Sequence, residues 1–490
     1  MIDDEDLQLG YDLPGPALEN PWTNFFADRS ATPNTWSDEA ITAWVRDDNY
    51  RDGNGQLTLA AKLRDALPTA WDENNNGRWD GYLPDAWFQF DDQGFDRAPD
   101  GTPTGWRAFR YYPLPGAFWP TNGSAGDVLI RLAPAFRHDR NGKEDLKIYR
   151  LNLAVVEALM KRQDVPIETT DERTIGVDLD KNGELGRAKV VRFEWAPTKG
   201  KMMHYVGEAE ELRKAGKVHL AGGLLPEGTE FLHSVRYLDH RDGYVGMAPR
   251  MKELRHAKKR RWQTYSQLEQ AAVQEAREKV AFPDRLRTIF GSLEVGVANG
   301  QGWQFQGFIE DEQGDLRPQT FEESVFCVGC HGGVGATVDA SYSFERKLDA
   351  AADGTDWRHW SQIGFEGMPD RARADGTFEY ARYLEEVGGG DDYRGNTEVQ
   401  ERFFDETGAL RPEAVKQLRK EVASLIVPSG PRALALNRAY RQIVADQSYI
   451  RGRDTLVATP VTNIHQKLKS DTSTGVSDPV PATWEPLSKP

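Results

Sequence analysis

Apolar residues recur along this chain with two different periods. Between Leu146 and Arg162, the positions Leu151, Leu153, Val155, Val156, Leu159 and Met160 fit one helix better than an alternating strand. The stretches 105–112, 127–132, 189–195 and 229–238 alternate or bunch β-branched and aromatic side chains, which predicts strands and a sheet. Trp262, Tyr265, Leu268, Ala272, Ala276 and Val280 return at steps of three or four. That spacing predicts one amphipathic helix from about Pro249 to Val280, ended before Pro283. Further helices are predicted near 376–387, 412–425 and 431–446. Residues 1 to about 130 hold only short apolar runs among Trp, Pro, Gly, Asn and Asp, and read as loop-rich. The last 25 residues, rich in Ser, Thr and Pro, read as an extended tail.

Composition narrows the function classes. The 490 residues include 61 Lys+Arg and 77 Asp+Glu, a formal charge of −16. An excess of acid opposes nucleic-acid binding, which needs clustered cations to neutralise phosphates. No run of about 18 apolar residues exists to form a transmembrane segment. Fourteen tryptophans and an aromatic share of 10% indicate a folded body. The start, Met1-Ile2-Asp3-Asp4-Glu5-Asp6, lacks the basic and apolar regions of a secretory leader and by itself suggests the cytoplasm. Within the predicted helix, Arg250, Lys252, Arg255, Lys258, Lys259, Arg260 and Arg261 form a basic stripe. It reads as a solvated helix face or as a docking site for an acidic partner.

Both cysteines fall in one pentapeptide, Cys327-Val328-Gly329-Cys330-His331, the C-x-x-C-H spacing of covalent c-type haem attachment. Two thiols three residues apart can add to the two vinyl groups of one porphyrin while the next imidazole reaches the iron. A thioredoxin-like redox pair, a zinc site completed by His or carboxylate, and a short disulfide loop are the alternatives.

The segment from Phe321 through Cys327-Val328-Gly329-Cys330-His331 to Gly333 resembles the haem-binding start of class I c-type cytochromes. The resemblance covers about residues 315–390 and implies a downstream methionine as sixth iron ligand, which Gly367-Met368-Pro369 supplies in the right order. It also implies a closing helix with a Tyr-Leu pair, matched by Tyr383-Leu384. His359, a distant histidine or an open sixth position are the alternatives to Met368, and an open position would make the iron reactive toward peroxide or oxygen. Trp357, Arg358 and Trp360 are candidates to hold a haem propionate, or are ordinary loop residues. Because covalent attachment takes place outside the cytoplasm, the resemblance also implies a periplasmic or cell-surface protein whose leader is missing from this sequence.

Two acidic loops carry a second signal. Asp72, Asn74, Asn76 and Asp80, and likewise Asp178, Asp180 and Asn182, place oxygen side chains at alternate positions around Gly77 and Gly183. The spacing suits calcium, a hard cation that takes six to eight oxygens. The twelfth position, where a bidentate Glu belongs, is Leu83 in one loop and Lys189 in the other. Hydrogen-bonded turns are the competing reading for both.

The expectation is therefore an α+β protein: a loop-rich α+β region over 1–300, a mostly helical haem c domain over 301–450 and an extended tail over 451–490. Its expected function is one-electron transfer to a redox partner protein through one covalent haem held by Cys327, Cys330 and His331, with calcium as a further cofactor. A haem-dependent oxidoreductase of peroxidase or oxygenase type is the alternative.

Overall fold

The computed structural model describes residues 23–26 and 36–453, apart from 117–118, 283–287, 333–337, 350–353, 355, 374–375 and 392–393. The expected tail lies outside the described residues from 454 onward. Twelve strands build the sheets that matter below: β1 (Phe95–Arg97), β2 (Pro103–Ala108), β3 (Ala125–Gly126), β4 (Leu129–Arg131), β5 (Val165–Asp171), β6 (Arg187–Val191), β7 (Glu230–Arg241), β8 (Tyr244–Lys259), β9 (Phe290–Ser292), β10 (Gly296–Ala298), β11 (Trp303–Glu310) and β12 (Leu316–Pro318). The helices are α1 (Asp38–Arg46), α2 (Thr58–Asp65), α3 (Leu146–Lys161), α4 (Glu208–Lys214), α5 (Tyr265–Ala281), α6 (Phe321–His331), α7 (Ser343–Arg346), α8 (Glu379–Val387), α9 (Thr397–Phe403), α10 (Pro412–Leu418), α11 (Ala423–Ile426) and α12 (Gly430–Asp446).

One antiparallel sheet runs in the order β1-β2-β4-β7-β8-β11-β10-β9, with β12 on β11 and β3 on β7. Its centre is the long hairpin of β7 and β8, closed by Asp242-Gly243, where Arg241 faces Tyr244. Both turn residues have positive φ, +52° and +81°, the backbone that a two-residue turn needs to match strand twist. Because side chains alternate along a strand, neighbouring residues serve opposite faces. Ile130, Phe231, Trp303 and Phe305 join one core with the buried side of α3. Leu129, Leu232, Leu254 and Phe308 join another with Leu59 and Leu63 of α2, Tyr82 and Trp106. The sheet is thus covered on both faces.

The helix expected over 249–280 is two elements. Residues up to Lys259 belong to β8, and α5 starts only after Thr264, whose hydroxyl and the Gln267 side chain form a capping box. The helical periodicity holds from Tyr265 onward, whereas the residues up to Lys259 lie in a strand paired on both sides, by β7 and by β11. The basic stripe is correspondingly not one helix face: Arg260 and Arg261, beyond the end of β8, are exposed, Arg255 and Lys258 are half-buried, and the other three cations are buried. Arg250, Lys252 and Lys259 are 2%, 2% and 1% exposed. Arg250 Nε lies 2.7 Å from Glu310 Oε1, Lys252 Nζ donates to the Gly123 carbonyl at 2.6 Å, and Lys259 pairs with Asp339. Buried cations need such partners, because an unpaired charge cannot be carried away from water.

The other expected helices form, with 412–425 broken into α10 and α11. The fold class is nevertheless not the expected one, since no mostly helical cytochrome domain follows the first 300 residues. Residues 303–318 supply β11 and β12 to the main sheet. The helix α12 sends Tyr440, Ile443 and Val444 into a core shared with Tyr237 and Ile309 of the sheet and Val45 of α1. The apolar faces of the C-terminal helices read correctly as helices, but the sheet surface they cover lies far away in sequence.

Candidate functional site

The hairpin of β5 and β6 carries the second acidic loop at its tip, with Asp171 facing Arg187 at its root. Asp171 caps a short 3-10 turn at Glu172–Thr174 by accepting from the Arg173 amide at 3.1 Å. Beyond the turn, Ile175, Val177 and Leu179 point into the α3 core. The two-residue alternation leaves Asp178 and Asp180 on the outer side. Gly183, at φ +90°, makes the sharp bend, and its amide donates to Asp178 Oδ2 at 3.0 Å. Asn182 Oδ1 accepts from the Glu184 amide at 2.8 Å.

The fully buried Glu172 folds under this loop. Its Oε1 accepts from the Leu179 amide at 2.6 Å and the Asp180 amide at 3.3 Å, and its Oε2 from Gly186 at 2.9 Å. Carboxylate oxygens of Glu172, Asp178 and Asp180 lie within 4.8 Å of one another. Asp178 Oδ1 is sealed from solvent and has no hydrogen-bond partner. Such orphaned buried oxygens are uncommon, because each forfeits its hydration without compensation. Burial lowers the pKa of the neighbouring Lys181, with the charge of Asp178 working against it. Sequence reasoning found Asp178, Asp180 and Asn182 but missed Glu172, six residues upstream. The signal was the alternation of Ile175, Val177 and Leu179, which places the preceding turn beneath the loop.

The first acidic loop closes differently. Asp72 accepts from the amides of Asn76 at 3.0 Å and Gly77 at 2.8 Å. Asp80 Oδ2 accepts from the side-chain amides of Asn74 at 2.9 Å and Asn76 at 2.6 Å, and Arg78 pairs with Oδ1 at 2.9 Å. These bonds hold the Asp80 carboxyl below its usual range, the Asn74 and Asn76 amides being the main cause. The loop is docked through the Asp80 amide, which donates to Glu294 Oε1 at 2.9 Å. The carboxylates that gather as a possible cation-binding group among the described residues are those of the second loop.

The pentapeptide lies at the end of α6, whose start is fixed by a capping box of Thr320 and Glu323. Cys327 and Val328 pack against the α3 core. The His331 ring sits 5.0 Å from Phe305 and 5.7 Å from Tyr342. Its Nδ1 is 2.9 Å from the Ala340 carbonyl, so that nitrogen carries the proton and donates. Burial pushes the His331 pKa down to about 4. Met368 is 4% exposed in a different core, among Trp360, Tyr380, Leu384 and Val422. Trp357 lies under the Arg107 guanidinium at 3.9 Å, and Trp360 packs on Phe365 at 4.2 Å.

Residues 6–419 match a family of lipoproteins. The chain belongs to this lipoprotein family. An uncharacterized lipoprotein of Aquifex aeolicus (strain VF5) is 29% identical over 514 residues, covering 92% of this chain and 78% of that relative. No solved structure matches the chain. The match runs through the pentapeptide and through the 300 residues before it, so the kinship is to lipoproteins and not to class I c-type cytochromes. The reading of the chain as a haem c carrier for one-electron transfer, and the alternative of a haem oxidoreductase with an open iron site, are corrected accordingly. The structure agrees on one physical point: Cys327 and Met368, read together as parts of one haem site, pack in separate cores. The reason for expecting a redox partner goes with them. Membership of a lipoprotein family agrees with an extracytoplasmic or cell-surface location. Among the described residues, no helix is long and apolar enough to cross a membrane.

Proposed function

We propose that this chain is a periplasmic or cell-surface lipoprotein that binds a hard divalent cation, calcium by its preference for oxygen, at the tip of the β5–β6 hairpin. Asp178, Asp180 and Glu172 supply carboxylates, and Asn182 and backbone carbonyls of the loop are of the right chemistry to add to them. The observation that carries the reading is Asp178 Oδ1, a buried anionic oxygen with no protein partner beside two further carboxylates. Like charges held this close repel unless a cation lies between them. Glu172 takes the part that the twelfth loop position, Lys189, cannot play.

The cation would join the three carboxylates on the outer side of the α3 layer and so stiffen the loop that Glu172 already holds from beneath. Calorimetric titration of the full chain with calcium chloride tests this. One site is expected, lost in the double variant Asp178→Asn, Asp180→Asn and retained in Asp72→Asn. Absence of binding heat and of any calcium-dependent rise in melting temperature at millimolar calcium overturns the reading.

A further inference from the structure

A second group of residues, drawn from three distant segments, has the connectivity of a nucleophile and its base. Asp127, between β3 and β4, is completely buried. Its Oδ1 accepts from the Ser234 amide at 2.6 Å and its Oδ2 from the Ser234 hydroxyl. His359 Nε2 lies 2.9 Å from the same Oδ2, and His359 is 3% exposed. Burial works to raise the pKa of Asp127, but the hydrogen bond from His359 and the charge of Arg236, 4.0 Å away, hold it below the usual range.

The tautomer of His359 follows from its other nitrogen. Nδ1 is 3.1 Å from the Ser361 backbone N–H, which can only donate. Nδ1 is therefore an acceptor, and the ring proton sits on Nε2, directed at Asp127. The same Nδ1 is 2.7 Å from Ser361 Oγ, so the Ser361 hydroxyl donates to it. Ser361 itself is exposed to solvent. The ring is clamped by Phe90, stacked at 4.5 Å and 19°, and by Phe88 at 6.2 Å edge-on. The backbone turn is held by His359 N–H to Gln362 Oε1 at 2.9 Å, and Gln362 Nε2 reaches the Asp91 carbonyl at 2.9 Å. An exposed hydroxyl, an imidazole in the accepting tautomer and a buried carboxylate orienting that imidazole are the three roles of a hydrolytic triad.

We propose that Ser361 is a nucleophile for acyl transfer from carboxylic esters, with His359 as its general base and Asp127 as the residue that positions His359. Ser361 Oγ attacks the ester carbonyl while His359 Nδ1 takes its proton. The carbon–oxygen bond to the leaving alcohol breaks, the proton passes from His359 to that alcohol, and an acyl-serine remains. Water, deprotonated by the same nitrogen, then releases the carboxylic acid and restores the hydroxyl. Phe90, half-buried beside the imidazole, suits a small apolar acyl group.

The test uses the full chain, p-nitrophenyl acetate as substrate and diisopropyl fluorophosphate as label. Expected are ester hydrolysis and a phosphoryl adduct on the peptide containing Ser361, with fluoride as the leaving group. Ser361→Ala, at an exposed position, keeps the melting temperature and abolishes both. Asp127→Asn lowers the labelling rate by about 100-fold or more, the lower range for a positioned base. Hydrolysis by Ser361→Ala at the parent rate, or an adduct absent from the Ser361 peptide, overturns the proposal. His359→Gln with parent labelling would likewise reduce the contacts to a structural tie of the loop to the sheet.

Discussion

The two acidic loops have nearly the same spacing of oxygens and glycine, yet they end in different electrostatic states. In the loop of Asp72 to Asp80, two side-chain amides and one guanidinium take up the Asp80 carboxylate, so the network is complete within itself. In the loop of Asp178 to Asn182, no amide answers Asp178 Oδ1, and the buried Glu172 brings a third carboxylate to the same place. The alternate-oxygen pattern specifies how a loop folds on its own backbone, through amides donating to Asp72 or Asp178. What surrounds it decides whether charge is left over.

The largest expected effect that bears on this contrast comes from Glu172. Glu172→Ala removes the acceptor of three amides, and with roughly 1 kcal/mol or more for each unsatisfied N–H it should lower unfolding free energy by about 3 kcal/mol in urea titration. A loss below about 1 kcal/mol would mean that the loop closes without it. Next in size is the cation. Calcium at a hundred times its dissociation constant should raise unfolding free energy by about 2.7 kcal/mol, and this increment should vanish in Asp178→Asn. An increment surviving in that variant, but lost in Asp72→Asn, would invert the comparison.

Asp72→Ala should cost about 1–2 kcal/mol, for two lost amide acceptors, and by the same amount with and without calcium. The smallest effect is acid dependence at Asp80. Its lowered pKa means a stabilising contribution that is present above the ordinary carboxylate range and lost as pH falls through the lowered value. Carbon-detected NMR titration should find Asp80 titrating below the value of an unstructured aspartate, and Asn74→Ala should bring it back up. An unchanged midpoint in that variant would remove the amides as the cause.

Legibility in the sequence followed the range of the interactions. Helix α3 was readable because Leu151, Leu153, Val155, Val156 and Leu159 carry the pattern locally, and all of them are buried. The strand β8 was misread because a strand covered on both faces has no polar side to alternate with, and its cations looked exposed until partners such as Glu310 and Asp339 came from elsewhere. The pentapeptide was equally local. Its spacing is a true feature of the chain, but a haem site needs surroundings, and Met368 was placed by the packing of Trp360, Tyr380 and Val422 in another core.

The sequence alone determined the elements whose causes lie within a few residues: the caps at Thr264 and Thr320, the Asp242-Gly243 turn, and the backbone closure of both acidic loops. The tertiary structure decided which carboxylates meet, that β11 and β12 extend a sheet begun two hundred residues earlier, and that Ser361 and His359 reach Asp127. Short-range hydrogen bonds have fixed geometry and so leave a readable spacing. Burial of apolar surface has no direction, and the distant segments it brings together carry no mark of one another in the chain.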